Sequence, residues 1–154
     1  MRSHRASRSD DSGNAMLEFV VLTAFLMVPL VYIVIAVLQV QGSAYGVTEA
    51  TREAGRAFVE APTWQDAYRQ ACTAATVSLQ NQVSGPFDCA SQLKVSCISG
   101  AGCGSTLAPG QTIRVQIDLA VPLPFLPASV FGQPLTVSVH AVHDEVVDVF
   151  RAQR

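Results

Sequence analysis

Residues 19–38, FVVLTAFLMVPLVYIVIAVL, are twenty consecutive residues without a charge. The hydrocarbon core of a bilayer is about 30 Å thick and takes about 20 helical residues to cross. The stretch predicts one transmembrane span with membrane lipid around it, and the rest of the chain has to be compatible with that. Pro29 lies inside the run. It removes one helical hydrogen bond and predicts a kink, which membrane helices tolerate. Glu18 directly precedes the run, and Gly13 lies five residues before Glu18. A carboxylate at the lip of a span is costly, and ionisable groups placed there tend to serve a function.

Charge sets the orientation. Arg2, Arg5 and Arg8 precede the span, with Asp10 and Asp11 against them. Arginines before a first span favour a cytoplasmic N-terminus, so a single-pass protein of the cell membrane is expected, its C-terminal part extracytoplasmic. About 110 residues lie beyond the span, enough for one small domain and not for two. Past Gly13 there are 7 basic against 10 acidic residues. No basic stripe interleaved with aromatics points to nucleic acid. All four cysteines, Cys72, Cys89, Cys97 and Cys103, follow the span. An even number in a small exported domain predicts two disulfides. The cysteines lack paired CxxC spacing, and His4, His140 and His143 fall away from them, so no metal site is expected.

Helical rhythm continues past the span. Val40, Ala44, Val47, Thr51, Ala54 and Phe58 recur at three- and four-residue steps, one helix stripe. A second stripe is small: Gly42, Gly46, Ala50 and Ala54. Small residues at that spacing admit a close neighbouring helix, and glycine otherwise costs about 1 kcal/mol in a helix interior. A helix over about residues 15–60 is predicted, roughly 65 to 70 Å long at 1.5 Å per residue. Its second half has to project beyond the bilayer. Ahead of it, residues 1–13 are polar and expected to be irregular.

Residues 61–154 then predict an exported α+β domain. Ala61-Pro62 stops the long helix, and Thr63 with Asp66 three residues on has the form of a capping box. Trp64, Tyr68, Ala71, Cys72, Ala75, Leu79 and Val83 line one face of a second helix to about Gln82. Alternation predicts strands around Leu93, Val95 and Cys97, from Ile113 to Leu119, and from Leu135 through Val139 toward Val142. A small antiparallel sheet of three or four strands, one face covered by helix, is the economical arrangement. Cys72 can meet Cys97 across that interface, or neighbours can pair as Cys72 with Cys89 and Cys97 with Cys103; three connectivities are open. Pro122, Pro124, Pro127 and Pro134 argue against helix or central strand between the last two strands. The apolar Leu123, Phe125, Leu126 and Phe131 in that loop either pack on the domain, the favoured expectation, or present a binding patch.

No catalytic constellation emerges. No serine stands in a Gly-x-Ser-x-Gly turn. His140 and His143, three apart in a strand, point to opposite faces. The glycine-rich stretch 99–110 has neither the spacing nor the lysine of a phosphate loop. No enzyme and no cofactor is expected.

The N-terminal motif carries a resemblance. Gly-Asn-Ala-Met-Leu-Glu-Phe at residues 13–19, running into an apolar helix, resembles the class III signal of type IV pilin-like proteins. In that family a prepilin peptidase cuts on the cytoplasmic side after the glycine and leaves the helix in place. Cutting between Gly13 and Asn14 makes Glu18 the fifth mature residue, as the family requires. Glu18-Phe19, together with TEATREAGRAF at residues 48–58, is similar to TadE-like minor pilins of the tight-adherence (Flp) pilus system. The resemblance covers about residues 9–60 and departs at Asn14, where the family usually has a small residue. It implies a leader at 1–13 and a long helix at 14–60. It implies the prepilin peptidase, other Tad/Flp pilins and platform proteins as partners, in pilus biogenesis and adhesion. Glu18 would pair with the freed amine of a neighbouring subunit, and Gly42 and Gly46 would pack among sister helices. Two other readings stand beside it. One is a membrane-anchored binding protein with an uncleaved N-terminus. The other is a secreted enzyme or hydrolase-like domain whose conventional signal is removed near Gly46.

Overall fold

The computed structural model describes residues 11–80, 82–83, 85–100, 107–124, 132 and 135–150. The chain divides into two compact units, Met1–Val37 and Leu38–Arg154. Helix α1, Asp11–Glu60, supplies residues to both. It begins at Asp11, four residues ahead of the expected start. The polar tail therefore becomes helical before Gly13, which suits an acidic residue type at a helix N-terminus. Residues 1–10 lie outside the described residues.

In the first unit the described side chains from Asn14 to Val31 are all exposed, and the rest up to Val37 are exposed or half-buried. This part of α1 is long and apolar enough to cross a membrane. A helix that is apolar all round needs lipid or other helices about it.

The second unit has an α+β architecture. Besides the end of α1 it contains α2 (Trp64–Leu79), the single turn α3 (Cys89–Gln92), and strands β1 (Leu93–Ser99), β2 (Thr112–Pro122) and β3 (Thr136–Val146). The strands form one antiparallel sheet in the order β1-β2-β3. Val47, Ala54 and Phe58 of the predicted stripe in α1 are fully buried, with Ala50 of the small-residue stripe beside them. Ala67, Ala71, Ala75 and Leu79 of α2 join them, with Ile113, Val115, Ile117, Leu119 and Val121 of β2. Small helix residues let the backbones approach, and the branched residues of the sheet fill the space between. Phe58 and Trp64 close one end, ring centroids 5.0 Å apart and nearly perpendicular, a favourable edge-to-face pair. Gln39 ties the helix to the sheet, donating from Nε2 to the carbonyl of Pro122 at 3.2 Å. The buried hydroxyls of Ser43 and Thr51 donate to carbonyls one turn back, those of Gln39 and Val47.

Thr63 caps α2 as expected: its Oγ1 accepts from the Asp66 N–H at 3.1 Å and donates to Asp66 Oδ2 at 2.8 Å. The helix ends at Leu79, short of Gln82; the N–H groups of Gln82 and Val83 both turn back onto the Leu79 carbonyl. Turn α3 has no counterpart in the predicted elements. Asp88 holds it together, accepting from Ala90 N–H and Ser91 Oγ. Cys89, in α3, forms a disulfide with Cys72, Cα atoms 5.7 Å apart. That excludes the Cys72–Cys97 pairing. Tyr68 reinforces the junction by donating to the Cys89 carbonyl at 2.8 Å. Cys97 is not a free thiol; Cys103 lies outside the described residues.

Pro122 corrects the reading of the proline-rich segment, because it is the last residue of the central strand. Its position explains the tolerance. Pairing with β1 reaches only Ile117, so from Asp118 on β2 is flanked by β3 alone, and proline is accepted on such an edge. The expected packing of Phe125, Leu126 and Phe131 concerns residues outside those described.

Candidate assembly surface

Three settings matter here, and the expected site residues other than the cysteines fall in the first two. The first is the N-terminal end of α1. Gly13 and Asn14 lie within its first turn. Asn14, Glu18 and Phe19 are exposed, Phe19 to 69%. Glu18 has no hydrogen-bond or ion-pair partner among the described residues. Its neighbours Met16, Leu17, Val20, Val21 and Leu22 are all exposed and apolar. A lone carboxylate on such a surface has nothing within its own chain to offset its desolvation. The arrangement is open to a cation brought by another molecule.

The second setting is the middle of α1, where the two glycines separate. A Cβ on Gly46 would fall 2.9 Å from Gln82 Cβ and closer still to its Oε1. Gly46 is therefore the close-approach residue for its own domain. Gly42 is exposed, with nothing within 4 Å of the same hypothetical atom. Of the two, Gly42 alone presents an open face, beside the exposed Gln41 and Tyr45.

The third setting is the outer face of the sheet, which no described element covers. It carries a cross-strand polar network. Arg114 of β2 grips Asp144 of β3 with two parallel bonds, Nε to Oδ1 and Nη2 to Oδ2, both 2.7 Å. Lys94 of β1 binds Asp118 at 2.8 Å, and Gln116 donates to both oxygens of the same carboxylate at 2.9 Å. The hydrogen bond from Arg114 holds the Asp144 carboxyl below the usual carboxylate value. Lys94, then Gln116, does the same for Asp118. His140 faces outward opposite Asp118, whereas His143 faces inward, where its Nε2 and Glu145 Oε2 lie 2.9 Å apart in a hydrogen bond. Gly55 lies beside that pair: a Cβ there would make ordinary contact with His143 Cδ2 at 3.4 Å. The two histidines do point to opposite faces.

No three His, Cys, Asp or Glu side chains converge as metal ligands among the described residues. A pocket of about 240 Å³ lies between the end of α2 and the sheet, lined by Leu79, Val83, Phe87 and Leu119; it holds no titratable group. The cross-strand network and the role of Gln82 were not legible in the sequence. Arg114, Asp118 and Asp144 are visible as the polar half of an alternation, but only strand register says which of them meet. Comparison with family models, curated proteins and solved structures finds no match for this chain.

Proposed function

We propose that the chain is a TadE-like minor pilin, or pilus-assembly subunit, of a Tad/Flp type IV pilus. In this reading a prepilin peptidase cuts between Gly13 and Asn14, and the mature protein is held in the cell membrane by residues 19–38. Residues beyond the span face outward and take part in pilus biogenesis and adhesion. The observation that carries the reading is Glu18: an exposed carboxylate without a partner among the described residues, five residues after Gly13, at the head of an exposed apolar helix. The physics supplies the mechanism. An uncleaved chain has no amine at Asn14. Cleavage creates one, and in a low-dielectric setting its attraction for a carboxylate is far stronger than in water. The pair between neighbouring subunits then fixes their axial register, so that proteolysis acts as the switch for assembly. Chemistry of the catalytic kind plays no part in this reading.

The test is the N-terminal sequence of the membrane-associated protein from cells that express a prepilin peptidase. A start at Asn14 is the expected result. A start at Met1 or Arg2 replaces the proposal with an uncleaved membrane-anchored binding protein. A start beyond Gly42 means that the apolar helix is a discarded signal.

A further inference from the structure

The edge of β3 that faces away from β2 is built for pairing. Its ladder with β2 runs without a break in register from Thr112 opposite Val146 to Pro122 opposite Thr136. Two backbone bonds continue the same register at either end. Leu123 N–H donates to the Leu135 carbonyl at 2.9 Å, and Val147 N–H to the Gln111 carbonyl at 2.8 Å. In an antiparallel ladder alternate residues turn both backbone groups toward the same neighbour. The odd-numbered residues of β3 are therefore bonded to β2. The even-numbered ones, Thr136, Ser138, His140, Val142, Asp144 and Val146, direct their N–H and C=O groups to the opposite edge. Among the described residues no strand lies there.

Natural sheets shield such edges with proline, lysine, bulges or short length. Strand β1, at the other edge, has seven residues, a register shift between Cys97 and Ser99, and Lys94. Strand β3 has 11 residues, an unbroken register, no proline and no lysine, and its two carboxylates, Asp144 outward and Glu145 inward, are held by Arg114 and His143 of the same chain. We propose that β3 pairs with β3 of a second copy of this chain, antiparallel, about a two-fold axis at Val142. Such an interface is isologous and closes on itself. Charge selects the register. An axis at Val142 sets His140 of each copy opposite Asp144 of the other, a donor against a carboxylate, twice. Moving the axis to His140 or Asp144 sets like against like, and an axis at Ala141 or His143 sets both groups opposite neutral partners. Asp144 keeps Arg114 in this arrangement, since a carboxylate has about four acceptor sites. The exposed Val142 side chains meet across the axis, and Ser138 meets Val146.

Cysteine cross-linking of the full-length chain in membranes tests this directly. Hydrogen-bonded antiparallel partners have Cα atoms about 5.5 Å apart, within disulfide range. Val142→Cys, mildly oxidised, is expected to give a homodimer several-fold above Ser96→Cys, an exposed outer-face control on β1. Chains with Ser138→Cys are expected to couple to chains with Val146→Cys far better than either couples to itself. Adding His140→Asp to Val142→Cys sets carboxylates against each other twice and is expected to lower the dimer yield about tenfold. Retention of the Cys72–Cys89 disulfide, read by mass spectrometry, reports a folded domain in every variant. A Val142→Cys yield no higher than that of Ser96→Cys overturns the proposal, as does a cross-link to a different polypeptide. Equal coupling in the mixed and unmixed Ser138 and Val146 experiments overturns the register.

Discussion

Gly42 and Gly46 stand four residues apart on one helix and are used differently. In isolation both are a burden, since glycine in a helix interior costs about 1 kcal/mol relative to alanine. At Gly46 the cost is offset by the approach of Gln82, whose Cβ leaves no room for another carbon. At Gly42 no described residue needs the space. Gly42→Ala is therefore expected to raise the thermal midpoint of the detergent-solubilised chain, by up to about 1 kcal/mol of stability. Gly46→Ala is expected to lower it by about 1 to 2 kcal/mol, because the side chain at the root of the clash cannot simply swing away. Equal effects of the two substitutions in unfolding scans would mean that Gln82 does not constrain the helix. The sequence shows both glycines at a small-residue spacing and invites one explanation for both. It cannot show that the turn after α2 returns a glutamine to Gly46 alone.

At the scale of elements, two sets of links bear on stability. The first joins α2 to α3. The Cys72–Cys89 disulfide closes a loop with a sequence separation of 17, and a loop of that size stabilises by about 3 kcal/mol in the chain-entropy account. Replacing both cysteines with serine should lower the unfolding free energy by about that amount, measured in denaturant titrations. The second is the cross-strand network on the open face of the sheet. Asp144 and Asp118 both bind a proton less readily in the folded chain than ordinary carboxylates do. Their contribution is fully present above the unfolded carboxylate value, about 4. It is lost as pH falls through their lower folded values. Both pairs face solvent, so the effect is modest. Asp144→Asn should destabilise slightly at neutral pH, and the gap to the natural chain should close as acid protonates Asp144. A gap that stays constant into acid would assign the effect to shape instead of charge. Sequence legibility divides along the same line. The stripe from Val40 to Phe58, the Thr63 cap and the alternation of β2 are local patterns, and each forms where expected. Turn α3 is a single turn with no room for a period. The choice of Cys89 over Cys97 depends on where that turn places its first residue. Pro122 at the end of a central strand is not visible in the sequence, because edge and centre of a strand are defined by its neighbours.

At the scale of the whole molecule, α1 shows two kinds of surface. Val47, Ala50, Ala54 and Phe58 are sealed in the core of a domain, while the apolar side chains from Met16 to Val34 are largely bare. The domain accounts for its own stretch of helix and leaves the first stretch, with Glu18, unexplained. Substitution at Glu18 should therefore leave the domain untouched. Glu18→Ala is expected to be cut after Gly13, to keep the Cys72–Cys89 disulfide, and to unfold at the natural midpoint. On the proposed pilin reading it should nevertheless be missing from high-molecular-weight assemblies recovered with pilus components. Glu18→Asp keeps the charge one methylene shorter and should recover part of the yield. Gly13→Val provides the complementary failure: an uncut leader, a folded domain and no assembly, because no amine is released for Glu18 to meet. Comparison of the two variants separates the roles, since one retains the amine without the carboxylate and the other the carboxylate without the amine. Normal assembly of Glu18→Ala would leave the carboxylate without a part in register. Subunit spacing would then have to be set by contacts made elsewhere on α1 or on the domain.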